Sequence, residues 1–325
     1  MTLAFKVQRS AFNGAVNVWR VQGKSYECLG SRGFRAKCYL IVMTILSIQS
    51  SVAYGHVGNS AAVFPLQRIG VEVWPVNTVQ FSNHTGYGAW RGSVLAAETV
   101  ADVIQGIEER GVLHECDGVL SGYMGDASLG EVILDAFARV QRANPRAIYC
   151  CDPVMGDVGR GFFVRSGIPE FMRDRAVPKA TIITPNQFEL EYLANRSVTN
   201  LDSALAAAEQ VMAGGPKVVL VTSLRRHDAA DDRIEMLAVD SFGAFTVETP
   251  LLPLNVNGAG DMTAALFLAH WSQSGSIESA LEHTTASVFA VLEATAEAGA
   301  REIQLIRAQE SMANPVRRFK AVRVR

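Results

Sequence analysis

The 325 residues include 49% hydrophobic and 19% charged side chains, ample material for a core, which excludes a disordered chain. A formal net charge of −2 gives no electrostatic case for nucleic acid as a partner, and no apolar run reaches the ~18 residues that a membrane-spanning helix needs. Five cysteines without CxxC spacing argue against a zinc site or a disulfide framework.

Residues 1–42 carry Lys6, Arg9, Arg20, Lys24, Arg32, Arg35 and Lys37 against Glu27 alone, with no sustained helical or strand periodicity. Such an acid-poor segment fits an organelle transit peptide. The apolar run Tyr39 to Ile48 imitates a secretory signal but lies far from the start. The plainest reading makes Met43 the start of translation, leaving a disordered or dispensable extension and one domain over 43–325.

From Met43 onward, strand-like and helix-like runs alternate. Thr44 to Ile48 reads as a strand buried on both faces. A helix starts near Asn59 and stops at Gly70. Val71 to Val79 is a strand and Val94 to Arg110 a helix. Gly118 to Gly122 ends a strand, and Leu129 to Ala143 is a helix stopped by Asn144-Pro145. Ala147 to Cys151 is a strand, with Cys150 and Cys151 as small buried hydrophobes. Thr181 to Thr184 is a strand, Leu201 to Met212 a helix and Lys217 to Thr222 a strand. A hairpin pairs Met236–Asp240 with Ala244–Glu248. Gly258 to Trp271 and Ser276 to Ala296 are helical.

This alternation predicts an α/β fold with a mainly parallel central sheet flanked by helices on both faces. Ligands on such sheets bind beyond the carboxyl ends of the strands. Ser50, Ser121, Asp152, Asn186, Thr222 and Asp261 fall there.

The strongest local signal is Asn257-Gly-Ala-Gly-Asp261 running into an apolar helix. The backbone N–H groups of Gly258, Ala259 and Gly260 at a helix start form an anion site. Asp261 beside them suits a general base for a hydroxyl nucleophile. In isolation the string also fits a glycine turn before a helix. Asp152 and Glu189 follow strands, where carboxylates suit Mg²⁺ held through water with nucleotide phosphates. Asp152-Pro153 also fits a turn, and Asn186 to Glu189 a helix cap. Asn77 to Gly88 and Ser121 to Gly125 are dense in polar and aromatic groups, and Tyr123 suits stacking on a ring. The chain lacks a Walker Gly-x-x-x-x-Gly-Lys-Ser/Thr, a Gly-x-Gly-x-x-Gly after the first strand, and the His-Arg-Asp and Asp-Phe-Gly strings.

Together, Ile48 to Ala62, Trp74 to Gly88, Leu120 to Gly125, Cys151 to Gly156, Asn257 to Asp261 and Leu281 to Thr284 resemble the ribokinase superfamily and, within it, the bacterial pyridoxal kinases of vitamin B6 salvage. The resemblance spans roughly residues 43 to 318. It implies a ribokinase-like fold and ATP-dependent phosphorylation of the pyridoxal 5′-hydroxyl. It also implies Mg²⁺, K⁺, a homodimer and a cytoplasmic enzyme with no nucleic-acid or membrane partner. By that resemblance Ser50, His84, Thr85, Gly86 and Tyr123 bind the substrate, and Asp261 takes its proton beside the Gly258–Gly260 anion hole. Asp152, Thr184, Glu189, Thr222 and the run Thr249, Pro250, Leu251 and Leu252 border the nucleotide, with Asp152 and Glu189 at the metal. Three departures stand out: Thr222 where a lysine is expected, Gly86 where bacterial members carry a polar residue, and no counterpart for residues 1–42. A hydroxymethylpyrimidine kinase and a non-catalytic pyridoxal-phosphate carrier are the alternatives. His84, Thr85 and Tyr123 favour pyridoxal over the first, and the intact Gly258–Asp261 turn favours an enzyme over the second.

Overall fold

A computed structural model describes residues 42–325 and, before them, the backbone of three strands. The chain falls into two units, Met1–Met43 and Thr44–Arg325. In the first, Val16–Val21 (β1), Lys24–Leu29 (β2) and Cys38–Leu40 (β3) pair antiparallel in that order. The apolar–polar alternation of Val16-Asn-Val suits a pleated pair, and the sequence reading named no strand there. The rest of residues 1–41, with the side chains of Cys28 and Cys38, lies outside the described residues.

The second unit opens with Thr44–Val52 (β4), Asn59–Arg68 (α1), Glu72–Phe81 (β5), Gly92–Val94 (β6) and Ala97–Glu109 (α2). Gly118–Ser121 (β7), Ser128–Ala143 (α3), Ile148–Cys151 (β8) and the two-residue strands Gly156–Asp157 (β9) and Gly161–Phe162 (β10) follow. Then come Ile168–Phe171 (α4), Ile182–Ile183 (β11), Gln187–Ala194 (α5), Leu201–Met212 (α6) and Val218–Leu224 (β12). Arg233–Asp240 (β13), Gly243–Pro250 (β14), Ala259–Ser274 (α7), Ile277–Glu297 (α8), Gln309–Ala313 (α9) and Val322–Arg323 (β15) complete it.

Ten strands form the main sheet in the order β15-β14-β13-β12-β11-β8-β7-β4-β5-β6. The six from β12 to β5 run parallel, and antiparallel strands close both edges. Alternate residues feed opposite cores. Leu46, Ile48, Val119, Tyr149, Cys151, Val219 and Val221 pack with Ile104 of α2, Ile133 and Phe137 of α3 and Leu190 of α5. On the opposite side Ala61 of α1, Met262 and Leu266 of α7 and Val288 and Val291 of α8 form a second core with Ile303 and Leu305. A sheet buried on both faces explains the continuous apolar runs of its strands. Cys116, Cys150 and Cys151 are free and buried, the small-hydrophobe role expected of the pair.

Differences from the sequence reading fall at element ends and in elements it did not name, among them β6, β9, β10, α4, α5, α9 and β15. β4 runs on to Val52, with a register shift between Gln49 and Ser51. The helix expected to start at Val94 starts at Ala97, because Val94 pairs with Val79 in β6. The cap pattern at Asn186 is realised: its side chain accepts from the Glu189 N–H and the Glu189 carboxylate accepts from the Asn186 N–H. Among the described residues no helix is long and apolar enough to cross a membrane.

Candidate active site

Two bulges aim the strand ends. One lies in β5 opposite Ser50 of β4, the other in β12 between Val221 and Leu224, around Thr222. Bulges twist a strand locally and re-aim a side chain. Both residues line a cleft of about 230 Å³ at the carboxyl ends of the parallel strands. Under Ser50, a buried network fixes β4 to its neighbours. Ser47 Oγ donates to Asn59 Oδ1 at 2.8 Å, and Gln49 Nε2 donates to Ser47 Oγ at 2.9 Å. Asn59 Nδ2 donates to the Val76 carbonyl at 3.1 Å, tying in β5. Buried hydrogen bonds of this kind rigidify the elements they join, and among the described residues Gln49 Oε1 alone of this network lacks a partner.

The turn before α7 forms the floor. Gly258 is its N-cap with φ 89°, and no side chain caps the first turn. A Cβ on Gly258 would overlap the His56 carbonyl oxygen, so both the conformation and the close approach require glycine. Nothing crowds Gly260, which is exposed toward the cleft. The first-turn amides and the helix dipole therefore face open space, the arrangement of an anion site. Asp261 lines the cleft and is partly exposed there. Burial on its other sides raises its carboxyl pKa, partly offset by the N–H groups of Gly58 and of Asp261 itself. A base held above the ordinary carboxylate range takes a hydroxyl proton more readily.

Asp152 and Glu189 are buried beside it. Thr184 Oγ1 donates to Asp152 Oδ1 at 2.9 Å, and among the described residues no donor reaches Oδ2. Burial, then Glu189 and Asp261, push the Asp152 pKa well above its ordinary value. Glu189 is pushed up to about 8 by burial, against the N–H groups of Asn186, Met155 and Gly156. Its oxygens are engaged by Met155 N–H at 2.8 Å and Asn186 N–H at 2.9 Å. Three crowded carboxyl groups with Asp157 at the same cleft call for positive charge, and hard oxygen donors fit Mg²⁺ accompanying a phosphate chain. Asp152, with one free oxygen, suits direct ligation, while Glu189 suits contact through water. Among the described residues no three His, Cys, Asp or Glu side chains form a metal cage by themselves. Arg160 is the one Lys or Arg side chain described along this cleft.

At the other end the short turn Thr85–Tyr87 is capped by His84, whose Nδ1 accepts from the Gly86 N–H at 3.0 Å. Burial and the Arg160 charge hold the His84 pKa below its ordinary value. A neutral ring with Nδ1 accepting carries its proton on Nε2. Tyr123 faces the same space, its loop pinned by Thr78 Oγ1 donating to the Tyr123 carbonyl at 2.7 Å. Burial raises its phenol pKa, so it stays neutral.

The structure thus gathers Ser50, His84, Thr85, Tyr123, Asp152, Thr184, Glu189, Thr222, Gly258, Gly260 and Asp261 around one cleft. Gly86 lines an adjoining groove with Arg160 and Asn257. A pocket of about 90 Å³ adjoins the cleft at Thr222 and Gly260 and takes in Thr249 and Ala259. Its walls are Ile234 and Met236 of β13, Val247 of β14 and Val288, Phe289 and Leu292 of α8. Pro250, Leu251 and Leu252 line neither space, because the strand carries Thr249 inward and the chain then leaves toward solvent. Sequence reasoning missed Asp157, Arg160 and those apolar walls. Arg160 had a local signal, the Gly159 and Gly161 turn residues at φ 77° and 69°. The walls had none, since their residue types are those of any core.

A family model described as phosphomethylpyrimidine kinase matches residues 85–305. A pyridoxal kinase of Rubrobacter xylanophilus is 68% identical over 283 residues, covering 87% of this chain and 98% of that relative. The chain belongs to the pyridoxal kinase family. A second pyridoxal kinase, from Leifsonia xyli, is 58% identical over 282 residues, covering 87% of this chain and 100% of that relative. The solved pyridoxal kinase of Leishmania donovani in complex with ADP and pyridoxamine has a TM-score of 0.81 at 27% identity, over 87% of this chain and 99% of that one. The ribokinase-like fold expected from the sequence is the one observed for this family member.

Proposed function

We propose that this pyridoxal kinase transfers the γ-phosphoryl group of ATP to the 5′-hydroxyl of pyridoxal, with pyridoxine and pyridoxamine as further acceptors. One observation carries the reading: the Asp261 carboxyl and the uncapped first turn of α7 open onto the same cleft as Ser50, His84, Thr85 and Tyr123. Tyr123 and His84 flank the ring, and Ser50 hydrogen-bonds it. The hydroxyl then lies toward Asp261, which takes its proton as the oxygen attacks phosphorus. The bond from γ-phosphorus to the β-bridging oxygen breaks and ADP leaves. The amides of Gly258, Ala259 and Gly260 face the charge on the transferring group.

Asp152 and Glu189 would hold the Mg²⁺ that accompanies ATP, which neutralises phosphate charge when bound. Thr184 orients Asp152 through its hydrogen bond. Thr222 and Thr249 border the nucleotide, with the apolar pocket taking the base. Arg160 supplies positive charge to a cleft in which Thr222 stands in place of an expected lysine. Potassium activation, homodimerisation and a cytoplasmic location are parts of the proposal supported by the family resemblance. The kinase domain is proposed to be residues 43–325, so deleting residues 1–42 should leave folding and turnover unchanged.

The test incubates the purified protein with ATP and Mg²⁺ and each of pyridoxal, pyridoxine and pyridoxamine, following the phosphate ester formed. Turnover with pyridoxal is expected. Binding of pyridoxal phosphate without turnover of any of the three would contradict the reading and favour a carrier.

A further inference from the structure

Glu302 lies after the last long helix, outside every motif read from the sequence, and its carboxylate reaches two loops at once. Oε1 accepts from the Tyr87 hydroxyl at 2.6 Å and Oε2 from the His56 N–H at 3.0 Å. Its backbone bridges Asn257, the residue before Gly258. Each partner belongs to a different wall of the cleft. Tyr87 closes the turn that carries Thr85 and Gly86. The His56 carbonyl packs over Gly258, and Gly58 two residues on packs against Ser50. Asn257 leads into the turn that carries Asp261.

The fit is close. A Cβ at Gly55, where φ is 90°, would overlap the Glu302 carboxylate. The Arg301 guanidinium sits 4.3 Å from the Tyr87 ring centroid, fixing the ring from its face. Among the described residues no Lys or Arg pairs with Glu302, so its charge is answered by those two donors. The same hydrogen bond pushes the Tyr87 hydroxyl up to about 12, which keeps it a donor at neutral pH.

We propose that Glu302 is a positioning residue that couples the Thr85–Tyr87 turn to the Asn257–Asp261 turn, through its carboxylate on Tyr87 and His56 and its backbone bridge to Asn257, holding the ring-binding loop in register with the base. This rests on the pyridoxal kinase reading and deepens it. Tyr87→Phe removes the hydroxyl alone and leaves the ring under Arg301. It should raise KM for pyridoxal about tenfold, the worth of a hydrogen bond to a charged group, with KM for ATP within about twofold. Glu302→Gln should act in the same direction, since one amide oxygen cannot accept from both Tyr87 and His56, and the double variant should lose less than the sum of the single losses, because both disturb the Tyr87–Glu302 bond. Hydrogen exchange should quicken in residues 84–88 of both variants at unchanged melting temperature.

An equal rise in both KM values, additive losses in the double variant, or unchanged exchange would overturn the proposal. Wild-type protein inactive toward pyridoxal would strike the activity reading instead. The exchange comparison would still decide the coupling.

Discussion

At one end of the cleft Ser50 near the end of β4, with His84, Thr85 and Tyr123 after it on loops and a short turn, presents hydroxyl, imidazole and phenol groups. In the adjoining pocket Ile234, Met236, Val247, Val288 and Leu292 present only apolar surface on strands and a helix. Val52, Val79 and Phe81 also line the first region, and Ser223, Thr249 and Thr263 the second, so under the proposed function the first would select mainly by placed hydrogen bonds and the second mainly by shape. Between them the carboxyl groups and the α7 turn supply charge. A hydrogen-bonding site rejects a ligand lacking the right groups far more sharply than an apolar slot rejects a near-isostere. Specificity should therefore concentrate at the polar end, and general nucleotide affinity at the apolar end.

The largest expected effect lies at the junction. Asp261→Asn should cut kcat by about 10²–10⁴ while both KM values hold, because the residue serves the reaction rather than either end. A variant keeping more than half the wild-type rate would remove the base from the account. The next is Glu189. Its folded pKa of about 8 stands above that of an unfolded glutamate, so the folded state keeps a proton that the unfolded chain loses. Stability of the ligand-free protein should therefore fall as pH rises from about 4.5 to 8, by at most roughly 1.4 kcal/mol per pH unit from this group. Denaturant melts at pH 5 and pH 8 should show Glu189→Gln flattening that slope, and an unchanged slope would place its origin elsewhere.

Two milder variants separate the ends. Val288→Phe narrows the apolar pocket and should raise KM for ATP about tenfold, leaving that for pyridoxal alone. Tyr123→Ala should do the reverse by a few-fold, since stacking beyond burial is worth roughly 0.5–1.5 kcal/mol. If either variant shifts both constants equally, the division of labour fails.

The same contrast explains what was legible in the sequence. The strand–helix alternation located the core of the sheet, because runs such as Thr44–Ile48 and Val218–Val221 are buried on both faces. The Gly258–Asp261 turn was legible only together with the other strand-end strings, since alone it also fits a glycine turn before a helix. The bulges opposite Ser50 and around Thr222 were not legible, since register shifts depend on the partner strand. Nor were the walls of the adjoining apolar pocket, where Val288 is also a member of the second core. Of the run Thr249 to Leu252, Thr249 alone lines the adjoining pocket, a distinction that depends on which way the end of β14 turns its side chains. Glu302 was invisible because its partners, His56 and Tyr87, are more than 200 positions away in the chain.

The central claim is that the polar end of the cleft chooses pyridoxal, and the most direct measurement is the ratio of kcat/KM for pyridoxal to that for hydroxymethylpyrimidine in the wild-type protein. The account predicts a ratio of about 10² or more in favour of pyridoxal, the discrimination expected when polar groups at a site lose their partners. A ratio near one, or one favouring the pyrimidine, would contradict it.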